Sequence, residues 1–173
     1  FNEACENQST ADGQGFDGDY ASKRTIFQYN YSHDNEGGFI LVCSGPGTID
    51  DVVVRYNISQ NDGGLGGSRL FQITGSRNNN CQIYNNVIYT HSSCPKIFAA
   101  GYGEWEGAPN NVTVKNNIIW DRNGSAVYDI TSQMSFTNNI FYNGVIPNYS
   151  TGHITLNPQF VNPGSGTYGG RVD

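Results

Sequence analysis

The chain has 173 residues and a mass of 18.9 kDa, the size of one ordinary domain, and contains 22 Gly, 22 Asn, 11 Tyr and 9 Phe. This composition is poor in helix formers and suits strands joined by tight turns, which argues against helical bundles and Rossmann-type enzymes. The net charge of −6 argues against a nucleic-acid partner, and the apolar run at residues 39–43 is too short to span a membrane.

Five segments with a common pattern follow one another, at residues 25–31, 52–58, 81–87, 112–118 and 134–140. Each alternates apolar and polar residues up to an Asn, which indicates a strand with one buried face that ends in a bend. The aligned Asn residues are Asn30, Asn57, Asn86, Asn117 and Asn139. The aligned apolar residues three positions earlier are Phe27, Val54, Ile83, Val114 and Phe136.

A second series of strands is predicted between these segments, at residues 16–19, 41–44, 71–74, 97–100 and 127–130. We expect the following residues to face inward: Phe16, Leu41, Phe71, Ile97 and Val127. Those expected to face outward include Asp17, Asp19, Gln72 and Tyr128.

The repeat is too short for a βαβ unit and matches one turn of a solenoid made of strands, in which stacked Asn side chains form a hydrogen-bonded ladder. The sequence therefore predicts an all-β fold, a right-handed parallel β-helix (solenoid) of about five or six coils. We expect a single domain over residues 1–173, with coils at about 12–143 and a closing segment at about 153–166.

Three stretches carry a resemblance to a known group of proteins: the repeated Ile-x-x-Asn-Asn-Ile-Ile/Phe-Tyr segments, residues 12–20 with 28–39, and the closing run from Leu156 to Gly166. Together they resemble right-handed parallel β-helix proteins of the pectate-lyase-like superfamily, and within it a subgroup of secreted bacterial and fungal proteins. The resemblance covers roughly residues 10–166. It implies the fold and a carbohydrate-active role on a polysaccharide, and it is specific for the fold rather than for one reaction.

The chain is shorter than such relatives, which usually carry an N-terminal cap and further coils before the region that resembles residues 12–20. It starts at Phe1 rather than at Met. We therefore expect a fragment, one half of a nicked protein, or a unit that stacks on a partner. Because an uncapped coil exposes a strand edge, another protein chain or missing coils should pack against one chain end.

The candidate catalytic residues are mostly carboxylates near the start of the chain. Asp17 and Asp19 are two positions apart on one predicted strand, so their side chains should leave the same face roughly 6–7 Å apart. Such a pair suits acid–base chemistry on a glycosidic bond or an oxygen cage for Ca²⁺. Asp34, Glu36 and Arg69 are expected to approach this face from the preceding connections and to complete an acidic groove with one cation. The alternative is that these sequences only form turns.

The loop at residues 101–107 follows the same strand series and contains Tyr102, Glu104 and Trp105. Aromatic rings cover the apolar faces of sugars, so we expect these residues, together with Gln72 and Tyr128, to bind substrate. The alternative is that Trp105 caps the sheet edge.

Six Asn-x-Ser/Thr sequons, together with a single Met and few charged residues, favour an extracellular location. The candidate glycosylation sites are Asn7, Asn111, Asn123 and Asn148. A disulfide between Cys81 and Cys94 is one interpretation, and two buried thiols are the other.

Two function classes remain open on these residues. One is an enzyme, a glycoside hydrolase or polysaccharide lyase, that acts on a cell-wall glycan. The other is a non-catalytic β-helix that binds glycan or assembles by stacking.

Overall fold

A computed structural model describes residues 1–9, 12–101 and 107–165 of the chain. The strands in these residues, in chain order, are β1 (Glu3–Cys5), β2 (Gln14–Asp19), β3 (Ile26–Gln28), β4 (Tyr31–His33), β5 (Gly38–Cys43), β6 (Ile49–Asp50), β7 (Val53–Arg55), β8 (Ile58–Gln60), β9 (Phe71–Thr74), β10 (Asn78–Asn79), β11 (Gln82–Tyr84), β12 (Val87–Tyr89), β13 (Lys96–Ala99), β14 (Val112–Lys115), β15 (Ile118–Trp120), β16 (Val127–Asp129), β17 (Met134–Thr137), β18 (Ile140–Tyr142) and β19 (Ser150–Thr151).

The strands form three long parallel sheets that run along the axis of a solenoid. Sheet I has the order β16-β13-β9-β5-β2, sheet II the order β19-β17-β14-β11-β7-β3, and sheet III the order β1-β4-β8-β12-β15-β18. The strands β6 and β10 form a small fourth sheet at the corner between sheets I and II. The fold is thus the predicted parallel β-solenoid, with about four turns rather than five or six.

The Asn ladder is confirmed at the corner between sheets II and III. Each Asn donates a side-chain hydrogen bond to Oδ1 of the Asn on the next coil, at distances of 2.9–3.1 Å. The ladder has one rung more than the sequence predicted, because Asn2 donates to Oδ1 of Asn30 from both its backbone N and its Nδ2. Each backbone bend is made by the residue before the ladder Asn, which takes the left-handed conformation at φ values of 54–57° in Tyr29, Tyr56, Asn85, Asn116 and Asn138.

The hydrophobic core fills the interior between the three sheets. The predicted column from sheet II is confirmed, since Phe27, Val54, Ile83, Val114 and Phe136 are in register on neighbouring strands. Sheet III contributes the buried side chains of Ile88, Ile119 and Phe141.

The inward column of sheet I differs from the prediction by one residue at two strands. The residues in register with Phe16 are Ile40, Phe71, Phe98 and Tyr128, so Ile40 and Tyr128 replace the expected Leu41 and Val127, while the expected Ile97 belongs to the core together with Phe98. A register irregularity lies between Lys96 and Phe98 of β13. Because a one-residue slip moves a side chain to the other face, Tyr128 packs inside the solenoid.

The described ranges contain no α-helix, and hence none with the length and apolar character needed to cross a membrane.

Candidate functional site

Asp17 and Asp19 lie on the outer face of β2, at the edge of sheet I. The alternate residues of the strand face the interior, where Phe16 packs against the rings of Phe27 and Phe39, and a Cβ on Gly18 would lie 3.2 Å from the Phe27 ring. Phe16 and Gly18 are thus committed to the core, which leaves the carboxylates of Asp17 and Asp19 on the outside. This part of the sequence-based site is placed as expected.

A side-chain hydrogen bond joins the two carboxyl groups; it raises the pKa of Asp17 and opposes the rise in the pKa of Asp19. The two groups are therefore closer than the roughly 6–7 Å that the strand rise alone gives between their positions. Burial raises the pKa of Asp17 to about 6, and the charge of Asp19, the hydrogen bond to it and the charge of Asp12 add to this. Burial also raises the pKa of Asp19. The pair thus shares one proton in weakly acidic solution.

The neighbours of the pair on the outer face of sheet I are only weakly polar. Leu41, Gln72 and Ala99 are in register with Asp17, and all three are buried. Oε1 of Gln72 accepts a hydrogen bond from Nε2 of Gln14 at 3.2 Å. These buried neighbours remove part of the water that would stabilise a carboxylate and so hinder ionisation of the pair, although Asp17 itself is exposed.

The row that contains Asp19 continues through Cys43 to Thr74. Burial, with the charges of Asp19 and Asp17, raises the pKa of Cys43 to about 11, so it is a neutral thiol at physiological pH. Oδ1 of Asp19 and Oγ1 of Thr74 are buried and make no hydrogen bond.

Asp34 does not join the pair, contrary to the expected single acidic groove. Its Oδ2 lies 2.7 Å from Nδ1 of His33, and Nε2 of His33 lies 3.0 Å from Oε1 of Glu3. All three side chains belong to the outer side of sheet III. Asp34 ends β4 in a left-handed conformation with a φ of 55°, so the chain turns towards sheet I only after this residue.

His33 is buried between its two carboxylate neighbours. Burial lowers the pKa of His33, but its hydrogen bonds to Asp34 and Glu3, with the charges of these residues, outweigh that effect and raise the pKa above the ordinary value. Both ring nitrogens are thus engaged. The neighbouring Cys5 has a pKa raised by burial and by the charge of Glu3, so it is a poor nucleophile.

Glu36 and Arg69 lie in the connections from sheet III to sheet I. The backbone N of Glu36 donates to the Asn7 carbonyl at 3.0 Å, and the backbone N of Arg69 donates to the Gly37 carbonyl at 3.1 Å. In addition to burial, the charge of Asp12 acts on both Asp17 and Asp19 and raises their pKa values.

Tyr128 does not lie on the outer face, where it was expected as a substrate-binding residue. Its ring stacks on Phe98, with centroids 6.0 Å apart, and contacts Phe136 and Phe141 edge-on inside the solenoid. Burial raises its pKa well above the ordinary value. The other predicted substrate-binding residues of this face, Tyr102, Glu104 and Trp105, lie outside the described residues.

The structure adds a buried carboxylate that the sequence did not single out. Asp62 is fully buried; its Oδ1 accepts hydrogen bonds from the backbone N and Nδ2 of Asn35, and its Oδ2 accepts one from Ser59. Burial raises its pKa to about 6 against the opposing effect of these bonds. Asn7, Asn35 and Asp62 stand five positions after the ladder residues Asn2, Asn30 and Asn57, a repetition from which this second stack could have been found.

The four cysteines are free thiols, so the disulfide considered between Cys81 and Cys94 is not formed. Both are buried, Cys81 as part of the apolar core. Among the candidate glycosylation sites, Nδ2 of Asn7, Asn111 and Asn123 each donates a hydrogen bond within the chain. Asn148 is exposed.

No three His, Cys, Asp or Glu side chains converge on a metal-binding point within residues 1–9, 12–101 and 107–165. No protein-family model, curated protein or solved structure matches the chain. What the structure establishes is therefore the parallel β-solenoid fold, without a family.

Proposed function

We propose that this chain is the β-solenoid of a secreted polysaccharide-active protein of the pectate-lyase-like type, and that it hydrolyses a cell-wall glycan at Asp17 and Asp19. The observation that carries the proposal is the proton shared by these two carboxyls on an outer sheet face, with the pKa of Asp17 raised to about 6. A carboxylic acid that keeps its proton near neutral pH is what protonation of a glycosidic oxygen requires.

In this reaction Asp17 gives its proton to the glycosidic oxygen as the bond to the leaving sugar breaks. Asp19 keeps its negative charge and holds Asp17 in the protonated form beforehand. The two groups are in hydrogen-bond contact, which is closer than the about 5–5.5 Å separation of an acid and a nucleophile in retaining glycosidases. The pair therefore acts as one acid, and Asp12, whose charge reaches both members, is the candidate for activating the water.

Hydrolysis fits this site better than elimination. An elimination on an acidic sugar needs a cationic or metal partner that stabilises the developing negative charge next to the base. At the pair itself, burial and the charge of Asp12 raise both pKa values, which suits proton donation rather than the proton abstraction that starts an elimination.

A non-catalytic role is the second candidate, as a module that binds glycan or stacks end to end with another chain. It is favoured by the burial of Leu41, Gln72 and Ala99, which limits the open part of the sheet I face to its edge. It is also favoured by β1, β2 and β3, each of which has a strand partner on one side only and so presents unpaired backbone groups.

The test is turnover on a panel of cell-wall polysaccharides, read as new reducing ends and, separately, as unsaturated products. We expect reducing ends without unsaturated products, and a loss of about 10²-fold or more in Asp17→Asn. Asp129→Asn is the matched control, because Asp129 lies in the same outer row at the opposite edge of sheet I. Wild-type turnover in both Asp17→Asn and Asp19→Asn would exclude the proposed chemistry. Glycan binding without turnover in the wild-type protein would favour the second candidate.

A further inference from the structure

The corner between sheets II and III carries an exposed row of tyrosines. Tyr29 and Tyr56, on successive coils, are 55% and 42% exposed, and their rings are stacked with centroids 5.4 Å apart and planes 10° apart. The ring of Tyr84 on the third coil meets Tyr56 edge-on at 6.2 Å. We call these three tyrosines, together with Arg55 and Lys115, the Tyr stripe.

The two cations of the Tyr stripe are held over the rings. The guanidinium of Arg55 is 5.8 Å from the centroid of Tyr56, and Nζ of Lys115 is 5.3 Å from that of Tyr84. Arg55 also donates from Nε to Gln28 at 2.9 Å and from Nη1 to the Tyr84 hydroxyl at 3.0 Å. Neither cation forms an ion pair with any carboxylate of the described chain. Both are therefore positioned, charged and available to an anion.

The face around the Tyr stripe has the opposite charge to the rest of the molecule. The six strands of sheet II contain no Asp or Glu, although the net charge of the chain is −6. Of the two carboxylates that precede β7, Asp50 is paired with Lys23 at 3.0 Å, and Asp51 accepts a hydrogen bond from Asn80. Sheet I, in contrast, carries the Asp17 and Asp19 pair. A local cationic surface on an acidic protein favours an anionic ligand.

The backbone under Tyr29 and Tyr56 is unfavourable for tyrosine. Both residues have a φ near +55°, in the left-handed region that Gly and Asn accept more easily than bulky residues. The equivalent positions on the next three coils are Asn85, Asn116 and Asn138, with the same φ. The fold therefore has no need of a ring at these two positions, and rings kept at a strained position point to a role in binding.

We propose that the Tyr stripe binds an acidic polysaccharide, with sugar rings against Tyr29 and Tyr56 and uronate carboxylates on Arg55 and Lys115. Neighbouring coils lie about 4.8 Å apart, so Arg55 on β7 and Lys115 on β14 are separated by about 10 Å along the axis. An extended glycan that follows the axis meets cations and rings in turn. The site lies on a different sheet from Asp17 and Asp19, and binding there does not depend on chemistry at that pair.

The test measures binding of the full chain to sodium polygalacturonate and to alginate by isothermal titration calorimetry, with dextran as the neutral probe and inorganic polyphosphate as the charge-only probe. We expect binding to at least one acidic polysaccharide and none to dextran. Arg55→Gln/Lys115→Gln should bind at least about tenfold more weakly, as for the loss of one charge-assisted contact. Tyr29→Asn/Tyr56→Asn should bind about tenfold more weakly while unfolding at an equal or higher urea concentration.

Arg122→Gln is the matched control, because Arg122 also lies over a tyrosine ring, at 5.0 Å from Tyr89, but on sheet III. It should bind within about twofold of wild type. The inference is overturned if neither acidic polysaccharide binds or if the tyrosine variant binds like wild type. It is also overturned if polyphosphate binds as tightly as the acidic polysaccharide to the wild type and to the tyrosine variant alike.

Discussion

The backbone N–H and the Nδ2 amide of Asn86 both donate to a single oxygen, Oδ1 of Asn117, at 3.0 and 2.9 Å. The same pair of bonds is repeated from Asn2 through to Asn139. Every buried amide of the ladder is thereby satisfied on one coil by the next, so the ladder ties neighbouring turns together in one fixed register.

Replacement of Asn86 by Leu should lower the free energy of unfolding by about 1–3 kcal/mol, because the backbone N–H and Nδ2 of Asn57 lose their acceptor and Oδ1 of Asn117 loses one of its two donors. Urea denaturation followed by circular dichroism measures the change. Gln82→Leu is the control, since Gln82 is exposed on the adjacent strand β11 and should cost less than about 0.5 kcal/mol. Equal stability of the two variants would contradict the claim that the Asn ladder stabilises the fold.

Asp62 should make the protein less stable as the pH rises from about 4 to 6. Burial raises its pKa in the folded chain from the ordinary 3.8 to about 6, so the folded state binds this proton more tightly than the unfolded state. The stabilisation is complete below the ordinary pKa and is lost as the pH passes the folded one. Urea midpoints between pH 4 and 7 should fall less in Asp62→Asn than in wild type. An identical slope in the two proteins would contradict the raised pKa.

His33 should add a second loss of stability at higher pH. Its pKa is raised by Asp34 and Glu3 despite burial, so its contribution is complete below the ordinary value of 6.5 and is lost as the pH rises through the folded value. Hydrogen exchange at β1, which Glu3 and Cys5 delimit, should therefore speed up between pH 6.5 and 9 beyond the intrinsic rate. In His33→Gln this extra acceleration should be absent; its persistence there would assign the effect to another group.

All four cysteines should be detected as free thiols without a reducing agent. Burial raises the pKa values of Cys81 and Cys94 to about 12, and both should resist a thiol reagent in the native protein, whereas the half-buried Cys5 should react first. Denaturation in the absence of reductant should expose four reactive thiols. A count of two would show a disulfide and correct the structure.

The sequence predicted the elements of sheet II and the ladder because both repeat with a clear alternation. In β14, for example, both valines are buried, whereas Thr113 is partly exposed and Lys115 is exposed, so the inward face of the strand could be identified. The strand β5 gave no such alternation: all six residues from Gly38 to Cys43 are buried, and a strand covered on both faces does not show which side is inward. The one-residue error at Leu41 follows from this.

The candidate site was predictable only in part. Asp17 and Asp19 could be paired because the strand period of two places them on one face. The separation of Asp34 from them depends on the left-handed conformation of Asp34; the Asp-Asn sequence indicates a turn, but not which sheet the side chain lies against. The Glu3 partner of His33 was missed because residues 1–7 were not recognised as a coil, although Phe1-Asn2-Glu3 repeats the positions of Tyr29-Asn30-Tyr31.

The central claim is that Asp17 and Asp19 share one proton on the outer face of sheet I. The most direct measurement is a ¹³C NMR titration of the aspartate carboxyls between pH 2.5 and 9 in the wild-type protein and in Asp19→Asn. We expect a pKa of about 6 for Asp17 in the wild type, with the titration of Asp19 coupled to it. The pKa of Asp17 should fall in Asp19→Asn, since a neighbouring charge is removed while burial remains. Titration of Asp17 near its ordinary 3.8 in the wild type, with no change in Asp19→Asn, would contradict the shared proton and the proposed general acid.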